Sequence, residues 1–91
     1  MLPISWSAAA LDDLDSIIGY IADIDVHAAL AMHDQIENSV LPVSDYPYIY
    51  RPGRVPGTRE IMAHPNYIIV CEVRDDHVKI LAVMHTRQEF P

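Results

Sequence analysis

The first fifty residues contain no lysine or arginine, the whole chain has one cysteine and three glycines, and no apolar run approaches the ~18 residues of a membrane span. Each absence closes off a class of function. One cysteine excludes an internal disulfide. Cys71 lies inside an apolar strand pattern, with no neighbour that would lower its pKa, and reads as a buried structural thiol rather than a nucleophile. His27 and His33 stand six apart, on different faces of one helix, and neither Cys-x-x-Cys nor His-Glu-x-x-His spacing occurs, so neither a metal nor a cofactor is expected. Gly53 and Gly57 flank Pro56 with no helix after them, which removes a phosphate-cradling loop. The start, Met1-Leu2-Pro3-Ile4-Ser5-Trp6, lacks the basic residues of a secretory leader, and Asp12, Asp13 and Asp15 would interrupt its apolar core. The expectation is a cytoplasmic protein without membrane contact.

What is present is an apolar chain with unevenly placed charge. With 51% hydrophobic and 21% charged residues over 91 positions, it can collapse into one domain spanning residues 1–91, at a size where stability is modest and a permanent partner would add to it. Residues 1–50 carry −8 (eight acidic groups, no Lys or Arg) and residues 51–91 carry +1 (six basic against five acidic), which together make the net −7. Nucleic acid would be repelled at long range by such a chain, so direct nucleic-acid binding is not expected and a protein partner is easier to accept. Any grip by positive charge comes from the second half.

Periodicity sets the fold. Leu2 to Trp6 alternates as a short strand, and Ser5 or Ser7 can cap the helix after it. Leu11, Leu14, Ile17, Ile18, Ile21 and Ile24 then recur at steps of three and four while Asp12, Asp13, Asp15 and Asp23 fall elsewhere, an amphipathic helix whose early aspartates suit the helix dipole. Asp25 opens a second helix with Ala29, Met32, Ile36 and Val40 on one face, ended by Pro42. Four prolines and Tyr46, Tyr48 and Tyr50 mark residues 42–57 as an extended connection tacked on by its aromatics. Thr58 to His64, Tyr67 to Arg74 and His77 to Thr86 are strands joined by tight turns at Pro65-Asn66 and Asp75-Asp76. The order predicts an α+β domain, with an N-terminal strand and a helical hairpin packed on one face of an antiparallel sheet, Leu14, Ile18, Ile21, Met32 and Ile36 meeting Ile69, Cys71 and Ile80.

The wording of the second half is specific: Arg54-Val55-Pro56-Gly57-Thr58-Arg59-Glu60-Ile61, then His64-Pro65-Asn66-Tyr67-Ile68-Ile69-Val70, then Val78-Lys79-Ile80-Leu81-Ala82-Val83-Met84-His85, then Arg87 and Phe90-Pro91. With Trp6 before a helix containing Asp13-Leu14 and Tyr20-Ile21, this resembles the RelE/ParE superfamily of toxins from type II toxin–antitoxin systems of bacterial plasmids and chromosomes, over nearly the whole chain. The ending is similar to the ParE branch more than to the ribosome-dependent nucleases. The resemblance implies the fold just described, a role in plasmid maintenance, a cognate antitoxin partner in a higher-order hetero-oligomer, and DNA gyrase as the target. It also implies two alternatives: a RelE-like, metal-independent endonuclease that cleaves mRNA on the ribosome, and a non-toxic relic that keeps only the antitoxin-binding module. A basic toxin meeting an acidic antitoxin is the usual pattern; the acidity here shifts the expected antitoxin contact towards apolar surfaces and strand or helix docking.

A metal-free ribonuclease needs a base for the 2′-hydroxyl, an acid for the leaving oxygen and cations beside the phosphorane. The candidates are Arg51, Arg54, Arg59, His64, His85 and Arg87, with Arg59, His85 and Arg87 the set for a nuclease. Phe90 stands where a titratable group would help and cannot exchange a proton, so the set is incomplete. For partner binding the candidates are Arg51, Arg54, Arg59, Arg87 and Phe90, the last two forming a cationic and aromatic tip. Each has a plainer reading: Arg51 and Arg54 as a solvated loop edge, Arg59 beside Glu60 as part of a cross-strand ion pair, His85 as a half-buried histidine with a backbone hydrogen bond.

Overall fold

In the computed structural model, which describes residues 1–88, the chain forms β1 (Ile4–Trp6), α1 (Ala8–Ala22), α2 (Val26–Ser39), a 3₁₀ turn (Leu41–Ser44), β2 (Arg51–Pro52), β3 (Thr58–His64), β4 (Tyr67–Val73) and β5 (Val78–His85). Ser7 is the cap that starts α1, its hydroxyl accepting from the Ala10 amide, and the Asp25 carboxylate starts α2 by accepting from Ala28. The first turn of α1 is Ala8 to Leu11 and carries no acid, so the expected dipole contribution of Asp12, Asp13 and Asp15 falls beyond the reach of that effect. The helix closes at Ala22, which leaves Ile24 exposed in the turn between the helices.

The five strands make one sheet in the order β1-β5-β4-β3-β2. Tyr67–Val73 pairs antiparallel with both neighbours, as the two tight turns require. β1 instead runs parallel to β5, with Ile4 opposite Val78 and Trp6 opposite Ile80, so the sheet is mixed. Short-range signals cannot reveal that pairing, because the partners lie at the two ends of the chain. Both helices cover one face: Ala10 and Leu14 of α1 and Ile36 of α2 share a buried cluster with Ile61, Ile69, Cys71, Val78, Ile80 and Val83, while Ile18 and Met32 pack at its rim. Ile21, expected in this core, is only half-buried and lies outside the cluster. Alternation along β4 turns Ile68 and Val70 to the other face, where they form a smaller buried cluster with Ala82 and Met84. No helix of the described residues is long and apolar enough to cross a membrane.

Where the short outer strands end, the cap of α1 and side chains of both helices meet backbone groups of β5 and β3. On the β5 side the Ser7 amide donates to the Ile80 carbonyl, the Ser7 hydroxyl to the Leu81 carbonyl, and the Val83 amide donates to the Asp13 carboxylate at 3.0 Å. Across the sheet, the Gln35 amide donates to the Ala63 carbonyl of β3 at 2.9 Å. Open backbone donors and acceptors would otherwise invite pairing with another chain. Of the aromatics in the 42–57 connection, Tyr50 packs on the core while Tyr46 and Tyr48 are exposed.

Candidate functional site

The cationic residues are arranged by one tight hairpin. Residues 53–57 turn β2 into β3: the Gly53 amide donates to the Thr58 carbonyl at 2.7 Å, and the Thr58 hydroxyl donates to the Val55 carbonyl at 2.6 Å. Gly57 has φ +87°, a left-handed backbone that favours glycine. Gly53 is required for a different reason, since a Cβ there would come 2.0 Å from the Thr58 hydroxyl. The resulting register sets Arg51 opposite Glu60.

Glu60 is the anchor of this region, and sequence reading named it only as the neighbour of Arg59. Its carboxylate is 7% exposed; Arg51 Nη2 lies 3.1 Å from one oxygen and Arg54 Nε 3.6 Å from the other. A buried carboxylate requires such compensation. Arg54 reaches further, its Nη1 donating to the Gln88 carbonyl at 2.9 Å and tying the hairpin to the turn after β5. Arg59 does not join them, because adjacent strand residues point to opposite faces. Its Nη1 donates to the Tyr50 carbonyl at 3.0 Å, and its guanidinium sits 5.3 Å from the centre of the Tyr48 ring. The cross-strand ion pair expected near Arg59 therefore belongs to Glu60 and Arg51. The signal available in the sequence was an acid in a buried strand with two arginines just before a Pro-Gly turn.

At the other end of the sheet, His64, Tyr67 and His85 sit in a row across three strands, with Tyr67 6.0 Å from His64 and 5.7 Å, edge to face, from His85. Each imidazole is fixed by a backbone amide: His64 Nδ1 accepts from Asn66 and His85 Nδ1 from Arg87. The His85 amide in turn donates to the Gln88 side chain at 2.6 Å. Thus His85 serves as the brace of a turn whose exposed second residue is Arg87; Phe90 lies outside the described residues. Among the described residues, the groups proposed for phosphate or partner contact form three separate sets: Arg51 with Arg54, Arg59 with Tyr48, and His85 with the Arg87 backbone.

Two other expectations meet the structure here. Cys71 is fully buried, and burial pushes its thiol up to about 11 against a small opposing pull from the Arg59 backbone hydrogen bond and charge, so it is a poor nucleophile. The one grouping of metal-type donors among the described residues is His33, Asp34 and Glu37, on the outer surface of α2, where His33 Nδ1 and Glu37 already pair at 3.0 Å.

Comparison with known proteins extends this geometry. A family model described as the ParE toxin of the type II toxin–antitoxin system parDE matches residues 4–90. A protein of Sinorhizobium fredii named "Putative toxin Y4kP" is 40% identical over 89 residues, 97% of this chain and 92% of that one. Among solved structures, a chain of a chromosomal ParDE toxin–antitoxin system from P. aeruginosa superposes with a TM-score of 0.79 at 27% identity, covering 93% of this chain and 96% of its own. The YoeB dimer from Staphylococcus aureus, at 17% identity, TM-score 0.65 and 98% of both chains, shares the fold.

Proposed function

Because the chain belongs to the ParE toxin family of type II toxin–antitoxin systems, we propose that it is a toxin kept inactive by a cognate antitoxin encoded beside it, and that its target is DNA gyrase. The observation that carries this reading is the match to the ParE family over residues 4–90. The site geometry supports it. Metal-free RNA cleavage needs a proton donor, a proton acceptor and cations converging on one phosphate. Here Arg51 and Arg54 are engaged by Glu60, Arg59 by Tyr50 and Tyr48, and His85 Nδ1 by a backbone amide. A surface built this way suits binding better than proton transfer. Action on gyrase would take place in the cytoplasm, and a toxin–antitoxin pair of this kind contributes to maintenance of the replicon that encodes it.

Expression with and without the adjoining antitoxin gene tests the proposal. Growth arrest that begins with loss of DNA synthesis, and is relieved by the antitoxin, is the expected result. Changing Arg87 and Phe90 to alanine should abolish arrest while leaving antitoxin binding intact, and His85→Gln should have little effect. Accumulation of truncated mRNAs before DNA synthesis stops would replace this reading with the RelE-like nuclease. Absence of arrest would leave the non-toxic antitoxin-binding module.

A further inference from the structure

Arg54 is tied more closely to the turn after β5 than to the acid beside it. Its Nη1 donates to the Gln88 carbonyl at 2.9 Å, whereas its Nε lies 3.6 Å from Glu60, a carboxylate that Arg51 already meets at 3.1 Å. The planar fork of a guanidinium holds two acceptors at once, so the buried Glu60 fixes the direction in which the second arm points. That arm ends on a turn held from several sides. The Thr86 amide donates to the Asn66 carbonyl of the neighbouring turn at 2.9 Å, the Gln88 amide to the His85 carbonyl at 2.9 Å, and the His85 amide to the Gln88 side chain at 2.6 Å. Within this turn Arg87 is exposed. A segment beyond the last strand ordinarily frays unless it is tied down.

From this run of contacts, Glu60 to Arg54 to Gln88 to His85, we propose that Arg54 is a positioning residue that presents Arg87 to the toxin's target in a conformation fixed before contact. It acts through the Gln88 carbonyl rather than by a target contact of its own. This role rests on the toxin reading and moves Arg54 from partner contact to the support of a neighbour. Order present before contact strengthens binding, because fixing the backbone of even one residue at the moment of association weakens affinity by about tenfold. The Gln88 carbonyl and the His85 amide are main-chain groups, so the brace survives replacement of the His85 side chain. The imidazole adds only the longer contact to the Arg87 amide, at 3.2 Å, which agrees with the small effect expected of His85→Gln.

The test uses the full-length chain and Arg54→Lys, which keeps a cation beside Glu60 but replaces the fork with a single nitrogen. Expressed without antitoxin over a range of inducer, the variant should require about tenfold more protein for the same growth arrest. Its Tm and its affinity for the antitoxin should stay close to wild type, while the amides of Arg87 and Gln88 exchange with solvent several-fold faster by NMR. Gln88→Ala, which removes the acceptor for the His85 amide, should weaken arrest in the same direction, and Gln88→Glu, which keeps an acceptor oxygen there, should recover most of it. Arg54→Lys that arrests growth as wild type does, or that leaves exchange at residues 87 and 88 unchanged, overturns the positioning role. So does a loss of arrest matched by equal losses of Tm and antitoxin binding, since Arg54 would then support only the fold. Each of these results leaves the toxin reading standing, whereas a wild-type chain that causes no arrest overturns that reading and the role with it.

Discussion

Replacing Glu60 by glutamine keeps the shape of the side chain and removes the charge that two arginines share. At an effective dielectric of 20 a pair of unit charges about 4 Å apart interacts by about 4 kcal/mol, and the Arg51 contact is 3.1 Å. That figure must be reduced, since the Arg51 and Arg54 side chains are 56% and 43% exposed and solvent screens them. The desolvation of Glu60, 7% exposed, offsets more of it. A net loss of about 1–2 kcal/mol is expected, which for a domain of this size lowers Tm by about 5–15 °C. Thermal and urea unfolding of Glu60→Gln read this directly. A triple variant with methionine at 51, 54 and 60 should recover part of the loss, because apolar replacement of a whole ion cluster avoids unpaired charge. A Glu60→Gln Tm within about a degree of wild type would refute the assignment of Glu60 as the anchor of the hairpin.

Ile36→Ala, at a side chain with no exposure beneath α2, should cost about 2–5 kcal/mol in urea unfolding, whereas Leu30→Ala at an exposed position of the same helix should cost almost nothing. Gly53→Ala places a methyl group 2.0 Å from the Thr58 hydroxyl and should destabilise by about 1–3 kcal/mol; adding Thr58→Ala should restore part of that, and strict additivity of the two changes would contradict the close approach. The raised pKa of Cys71 favours the neutral thiol in the folded state, so it leaves stability unchanged below the ordinary thiol pKa of about 9 and removes stability as pH climbs from there to about 11. The stability gap between wild type and Cys71→Ala should therefore narrow between pH 8 and pH 10.5, and a constant gap would refute the burial effect.

Much of the fold was legible because each element carries its own local signal: the Ser7 and Asp25 caps, the three-and-four spacing of Leu14 and Ile36 along their helices, and the alternation of Ile68, Ile69 and Val70 between two turns. The parallel pairing of β1 with β5 was not legible, because it joins Ile4 to Val78 across the length of the chain. Ile21 was assigned to the core by spacing alone and is only half-buried, and Ile24, placed on the same stripe, falls beyond the end of α1 at Ala22 and is exposed. The candidate cations were found by type, but their environment depended on register. Only the β2–β3 hairpin puts Arg51 opposite Glu60 and turns Arg59 to the other face. Spacing places Asp13 off the apolar stripe of its helix, and its bond to the Val83 amide shows how a polar residue at the flank of a helix can serve a sheet edge.

The most direct test of the account is biochemical: purified full-length chain added to a DNA gyrase supercoiling reaction and, in parallel, to a translating ribosome extract. The account predicts loss of supercoiling that is prevented by stoichiometric antitoxin, with mRNA in the extract left intact. Unimpaired supercoiling together with codon-specific mRNA cleavage would contradict it.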